Sequence, residues 1–423
     1  MFLPEKPCLS VLLWHFYFLT LNTIKMKISR KTNRTKLFIR IAMVLSVTYL
    51  FVSGCQKTFD KQMMNQKQLD AMSSNAMSRK PVMEKKNFSQ TNLVANNSAY
   101  GASRVDPLLQ NAWGLAFSPN GFAWISANGA SVSTVYTGEG AEVRPAVTIP
   151  SATGSTGGTP TGVVFSGSNT DFLLPAPNNQ AARFIFAAED GILSAWNGAA
   201  GNSAVVVKDN SATASYKGLA LATNNGANYL YATNFRTAKI DVFDKDYNAV
   251  SMSFTDPQIP SGFAPFNIQN VAGMLYVTYA KVGPSGDDVA GMGNGYVDIY
   301  NTDGSFVQRL VSGGQLNSPW GIAKAPATFF GDDNDGDQNI ILIGNFGNGH
   351  INAYNSNGKF MGELAQHPTP MNPQVPIVIH GLWAISFAPA TATSIDPNRL
   401  YFTAGPNDEE DGLYGYIKKN DSN

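Results

Sequence analysis

Residues Trp113–Pro119 read WGLAFSP. The stretch returns as WGIAKAP at Trp320–Pro326 and as WAISFAP at Trp383–Pro389. Weaker copies are TGVVFSG from Thr161, KGLALAT from Lys217 and FNIQNVAG from Phe266. Aligned on their second position, the six copies place Gly114, Gly162, Gly218, Asn267, Gly321 and Ala384 in one column, 48, 56, 49, 54 and 63 residues apart. Self-similarity at such a period is the mark of a repeat architecture.

Each copy is followed by a second short strand, a polar turn and a third strand: FAWISANGASVSTVYT, RFIFAAEDGILSAWN, YLYATNFRTAKIDVFD, MLYVTYAKV with GYVDIYNTDG, IILIGNFGNGHINAYNSNG and RLYFTAGPNDEEDGLYGYI. Apolar residues alternating over short runs bounded by Gly, Asn and Asp predict strands. Several copies add a fourth strand, such as VRPAVTIP from Val143 and SFVQRLVSG from Ser305. Four antiparallel strands repeated every ~40–60 residues describe propeller blades. The expected fold is therefore all-β, a six-bladed β-propeller with four-stranded blades over residues 88–420. The last copy has no room for a fourth strand, and FSQTNLVANNS (Phe88–Ser98) stands unpaired before the first. This N-terminal strand is expected to close the last blade.

Ahead of the repeats the chain changes character. Met26 opens a basic stretch, an apolar run spans Ile41–Val52, and Val52-Ser53-Gly54-Cys55 follows. A basic segment and a short apolar run predict a secretory signal. Its last four residues resemble the lipobox of bacterial lipoproteins, which makes Cys55 the expected lipidated residue. A plainly cleaved signal or a signal anchor is the alternative. Residues 1–55 are thus read as a signal region whose true start is Met26, and 56–87 as a flexible tether. Export, and lipid anchoring to the cell envelope at the outer membrane, follow as expectations. The only other cysteine is Cys8. Beyond Cys55 stand 22 basic and 29 acidic residues, a net charge of −7. An acidic body is a poor match for a phosphate backbone, so nucleic acid is excluded as a partner. The body is expected to be a monomer binding a small molecule, glycan or protein.

The repeats resemble the NHL and SMP-30/gluconolactonase type of six-bladed propeller. Asp106-Pro107 leading to NAWGLAFSP, AEDGILSAWN, YKGLALA with YLYATNF, and SPWGIAKAP with LIGNFGNGHINAY are similar to an uncharacterised bacterial secreted propeller family. That resemblance implies a fold and an export route, and no activity or catalytic residue.

In a propeller, loops entering the innermost strand and turns between second and third strands share one face. One ring there holds Trp113, Thr161, Lys217, Phe266, Trp320 and Trp383. A second holds Asn128, Glu189, Asp190, Asn234, Arg236, Tyr279, Asn345, Asp408 and Glu409, with His380 nearby. The three Trp are read as repeat packing between blades, with an aromatic floor for a sugar or other flat ligand as the alternative. Glu189, Asp190, Asp408 and Glu409 are candidate ligands for Ca²⁺ or another divalent cation, with Asn128, Asn234 and Asn345 as neutral ligands, against the plainer reading of turn chemistry. The run Gly331–Asn339 resembles a calcium loop through Asp333, Asp335 and Asp337, but Gly331 stands where its first ligand belongs. No HExxH, GxSxG elbow or Walker loop occurs, and the body's histidines are His350, His367 and His380. A binding or scaffold propeller is the expected function. A metal-dependent hydrolase or lactonase at the channel mouth is the alternative.

Overall fold

The computed structural model describes residues 85–330, 339–366 and 375–420. Contacts divide the chain into Met1–Pro81 and Val82–Asn423, and every element below belongs to the second unit. Met26, Cys55, most of the tether, His367, and Asp333, Asp335 and Asp337 lie outside the described residues. Among those described, the helices are three short 3-10 turns, and none could cross a membrane.

Strand β1 (Lys85–Ala95) is joined by β2 (Arg104–Val105). The first sheet holds β3 (Ala112–Phe117), β4 (Ala123–Ala127), β5 (Val132–Tyr136) and β6 (Val147–Thr148). A small hairpin, β7 (Pro150–Ser151) and β8 (Gly154–Gly157), follows. The second sheet holds β9 (Pro160–Phe165), β10 (Phe184–Ala188), β11 (Ile192–Trp196) and β12 (Val205–Asp209). The third holds β13 (Tyr216–Asn224), β14 (Ala227–Asn234), β15 (Lys239–Phe243) and β16 (Ala249–Val250). The fourth holds β17 (Phe263–Val271), β18 (Met274–Lys281), β19 (Gly295–Tyr300) and β20 (Phe306–Ser312). Two more antiparallel groups, β21 (Pro319–Lys324) to β24 (Phe360–Gln366) through β22 (Ile341–Asn345) and β23 (Ile351–Tyr354), and β25 (Leu382–Phe387), β26 (Leu400–Ala404) and β27 (Leu413–Lys419), merge through β1 into one sheet. The chain is an all-β protein of propeller type.

Why these groups arrange as they do is visible at the repeat column. The first strands touch in cyclic order: β3 with β9, β9 with β13, β13 with β17, β17 with β21, β21 with β25, and β25 with β3. A Cβ on Gly114, Gly162, Gly218 or Gly321 would fall closer than 3.0 Å to the next first strand, against Thr161, Leu219, Asn267 and Trp383 respectively. Glycine is therefore required for close approach there. Where the column carries Asn267, its amide instead donates to the Trp320 carbonyl at 2.8 Å. Leu115, Val163, Leu219, Gln269, Ile322 and Ile385, one from each first strand, line a narrow void between them.

Apolar faces close in the same order. Trp124 and Val135 pack on Phe184 and Phe186, Ile185 and Leu193 on Leu219 and Leu230, and Tyr231 and Val242 on Ile268 and Val277. Val297 and Ile299 meet Ile341 and Ile343, Leu342 and Ile351 meet Phe402 and Ile417, and Tyr401 and Tyr414 meet Ile125 and Tyr136. Each such side chain, fully buried, contributes ~1.5–3 kcal/mol.

Strand β1 pairs antiparallel with β27, from Phe88↔Lys419 to Ala95↔Leu413. It begins at Lys85, three residues before the expected Phe88, because its first part also pairs parallel with β24 (Lys85↔Leu364, Phe88↔Gln366). Phe88 is buried against Phe329 and Phe330. Asp411 accepts from Asn96 Nδ2, Asn97 Nδ2 and the Tyr100 hydroxyl at 2.7–2.9 Å, which ties the end of this strand to the turn before β27. The strand expected from Val143 is reduced to Val147–Thr148; Pro145 and Pro150 supply no N–H to extend it.

Candidate functional site

One backbone hydrogen bond recurs in all six groups. The residue just past each second strand donates to the residue just before each first strand: Asn128 to Asn111, Glu189 to Thr159, Phe235 to Ser215, Val282 to Gly262, Phe346 to Ser318 and Gly405 to Gly381, at 2.8–3.1 Å. These bonds fix one face, the mouth, on which the two expected rings of side chains lie.

The aromatic members close the axis. Trp113 and Trp383 stack at 3.7 Å, and Phe346 stacks on Trp383 at 3.9 Å. Trp320 meets Trp383 edge-on at 6.0 Å, and Phe266 packs on it from the fourth sheet. Trp113, Trp320, Trp383 and Phe266 are all buried. The tryptophans are packing, but they meet one another at the centre rather than wedging between neighbouring sheets. Two polar handles anchor the plug: Trp320 Nε1 donates to the Lys217 carbonyl at 3.0 Å, and Trp383 Nε1 to Asn111 Oδ1 at 2.8 Å.

Over this plug stands a charged floor. The Lys217 side chain is only 7% exposed, with Nζ 5.2 Å from the centre of the Trp113 ring. It pairs with Glu189, and Asp287 from the long loop after β18 approaches to 3.5 Å. Burial disfavours the ammonium, but Glu189, Asp287 and Glu409 outweigh that and raise its pKa. Lys217 is thus a buried side chain whose charged form Glu189 favours. Asn128 Nδ2 donates to the second oxygen of Glu189 at 2.9 Å. Asn111 Nδ2 donates to Glu409 at 2.7 Å, and the left-handed turn Asn407-Asp408-Glu409 presents that carboxylate inward. Burial, then the charges of Glu189 and Asp288, push Glu409 above the usual carboxylate range against the pull of Asn111 and Lys217. Asp288 is raised by burial first and by Asp287 as well. Four carboxylates thus share one ammonium.

The remaining expected residues separate. Asn234 and Asn345 hold turns: each accepts from a backbone N–H of the entering loop (Ser215 at 3.2 Å, Asn317 at 3.1 Å) and donates to Asp241 or the Gln315 carbonyl. Asp190 accepts from Ala152 N at 2.9 Å. Arg236, His380 and Asp408 are exposed. Thr161 bonds the Tyr216 carbonyl, and the Tyr279 and Tyr300 hydroxyls bond each other at 2.8 Å. His350 pairs with Glu363 of the outer strand β24. Among the described residues, no three His, Cys, Asp or Glu side chains are arranged to hold a metal ion. Glu189 and Glu409 reach the floor, whereas Asp190 holds Ala152 N and Asp408 is exposed. Asn111, Asp287, Asp288 and Phe346 were not anticipated.

No protein-family model matches the chain. The uncharacterised protein R648 of Acanthamoeba polyphaga mimivirus is 30% identical over 340 residues, covering 78% of this chain and 80% of its own length. The chain belongs to the R648 family. Mimivirus protein L690, also uncharacterised, is 29% identical over 342 residues, covering 78% of this chain and 86% of L690. These relatives correct the resemblance to a bacterial secreted family. Motifs such as WGLAFSP and KGLALA serve close approach of first strands, so they report repeat geometry and not lineage. Among solved structures, virginiamycin B lyase from Staphylococcus aureus aligns with this R648-family chain at TM-score 0.44 and 12% identity, covering 78% of this chain and 98% of the lyase.

Proposed function

We propose that the domain is a closed ring of six four-stranded blades, the last completed by β1, that binds a small ligand at its mouth without covalent chemistry. The observation that carries this reading is Lys217, buried at the base of the mouth and fixed by Glu189 over the tryptophan plug. A buried ion pair is a poor source of stability and a good means of fixing charge in place. The partly exposed ring of Phe346 ends the aromatic stack. With four carboxylates sharing one ammonium, the floor favours a ligand bearing an amine, which gains both the carboxylates and the Phe346 face. The alternative, a metal-dependent hydrolase or lactonase, would need Glu189 and Glu409 as cation ligands, and both instead face the Lys217 ammonium.

The test is thermal shift against primary amines, neutral polyols and carboxylates. Amines are expected to raise the melting temperature, by an amount lost in Glu409→Gln. Stabilisation by carboxylates instead would overturn the charge preference, and stabilisation by none of the three would overturn binding at the mouth. The basic stretch, the apolar run and Cys55 further support export and lipid anchoring of the domain.

A further inference from the structure

Between β16 and β17 the chain runs through residues 251–262 without entering a sheet. Its exposure alternates as in a strand: Ser251, Ser253 and Thr255 face solvent, and Met252, Phe254 and Asp256 face inward. Met252, Phe254 and Ile259 pack on a core that includes Tyr231, Ile268 and Tyr300. The Phe254 ring meets Tyr231 and Tyr300 edge-on at 5.9 and 5.3 Å. The backbone of 251–261 contributes one turn of its own, Ile259 N to the Asp256 carbonyl at 3.3 Å, and no ladder to a described strand. The segment is a strap, held down by its inward side chains.

Asp256 is the charged member of that inward face. It pairs with Arg309 of β20, and Arg309 pairs also with Asp298 of β19. The trio is buried, with Asp256 2%, Asp298 0% and Arg309 14% exposed at their side chains. The groups around it are Tyr279 from β18, Tyr296 and Tyr300 from β19, and Ser312 at the end of β20. The Tyr300 hydroxyl lies 3.4 Å from Asp298 Oδ2 and 2.8 Å from that of Tyr279. Arg309 sits 4.7 Å from the centre of the Tyr296 ring and donates to Ser312 Oγ at 3.3 Å. One guanidinium thus faces two carboxylates. With both ionised, a negative charge stays buried without a counter-charge, which is strongly destabilising. A shared proton removes it. Burial outweighs Arg309 and lifts Asp298 to about 6, so this proton leaves near neutrality.

The two carboxylates differ in freedom. Asp298 stands within β19, laddered to Val277 of β18 and Arg309 of β20. Asp256 rides on the strap. Once the proton is gone, the strap is the part that can move, and Arg309 and Asp298 remain as a one-to-one pair.

We propose that residues 251–262 form a pH-gated strap, docked while Asp256 and Asp298 share a proton on Arg309 and released when both are ionised. Release uncovers Tyr231 and Tyr300 on the flank between the third and fourth sheets, away from the mouth.

Peroxide footprinting of the full chain, read by mass spectrometry, tests this. Met252 reports on the strap's inward face, and Met292, 69% exposed, is the internal reference. The ratio of Met252 to Met292 oxidation is expected to rise several-fold between about pH 5 and about pH 7.5, since a proton held only in the docked state shifts docking by up to about tenfold per pH unit. Asp298→Asn, which leaves Arg309 a single carboxylate, is expected to keep the ratio low at both values. Asp256→Ala, which removes the tie, is expected to keep it high at both. Circular dichroism verifies that the sheets persist in each variant and at each pH, and the wild-type comparison decides by itself should a variant fail to fold. A wild-type ratio equal at the two values, a rise that persists in Asp298→Asn, or an Asp256→Ala chain as protected as wild type at the lower pH would each overturn the proposal.

Discussion

Replacing Trp383 with Ala removes the member of the axial plug with most partners. Its indole is 1% exposed, lies between Trp113 and Phe346 at 3.7 and 3.9 Å, and donates to Asn111. Truncating a packed Trp costs ~3–5 kcal/mol, and each stacked pair adds ~0.5–1.5 kcal/mol beyond area. The loss belongs at the top of that first range, about 5 kcal/mol. At ~2–3 °C per kcal/mol for a large domain, the melting temperature should fall by about 10–15 °C. Trp383→Phe keeps a ring in the stack and loses the N–H to Asn111, so it should cost only about 1–2 kcal/mol. Calorimetry of the two variants beside wild type measures both. If the Ala variant melts within about 2 °C of wild type, the tryptophans do not seal the axis and the plug is wrong.

Deleting residues 85–98 should destabilise the whole domain rather than one edge, and Asp411→Ala alone should cost ~1.5–3 kcal/mol through its lost charged hydrogen bonds, both read by urea titration. The Tyr100 hydroxyl and the Asn amides hold Asp411 below the usual carboxylate value, so its contribution is present above about pH 4 and disappears as pH falls through its folded pKa. Asp298 behaves oppositely: burial outweighs Arg309 and lifts it to about 6, so its contribution is complete below about pH 4 and is lost as pH rises through about 6, a slope that Asp298→Asn should remove from the stability–pH curve. Metabolic labelling with a palmitate analogue should mark the exported chain and not its Cys55→Ala variant.

The repeat was legible because strands alternate and because the column of Gly114, Gly162, Gly218 and Gly321 records a spatial constraint that only glycine satisfies. Lys217 was legible for the same reason, as the neighbour of Gly218 in that column. The plug's place was not. Equivalent positions in a repeat become neighbours at the axis only once the ring closes, and a periodic sequence does not say how far side chains reach. Asn234 and Asn345 looked like ligands because Asn suits both turns and cations; their hydrogen bonds to the entering loops decide for turns. Asn111 and Phe346 each sit beside a residue already noted, and the recurring backbone bond that brings them to the mouth has no signature in side chains. Asp287 and Asp288 lie in a loop of one copy, so no repeat comparison reaches them. In the β19 stretch GYVDIY the Asp298 side chain is buried against Arg309, because a strand inside a stack of sheets has neighbours on both faces.

A plugged axis with a charged floor at one mouth determines where a ligand can sit. Crystals of the domain soaked with a library of amine-bearing fragments test it directly. Fragments are expected to rest on Phe346 with their ammonium groups within hydrogen-bond reach of Glu409 or Asp288. Fragments seated in the void between Leu115 and Ile385, beneath the tryptophans, would contradict it.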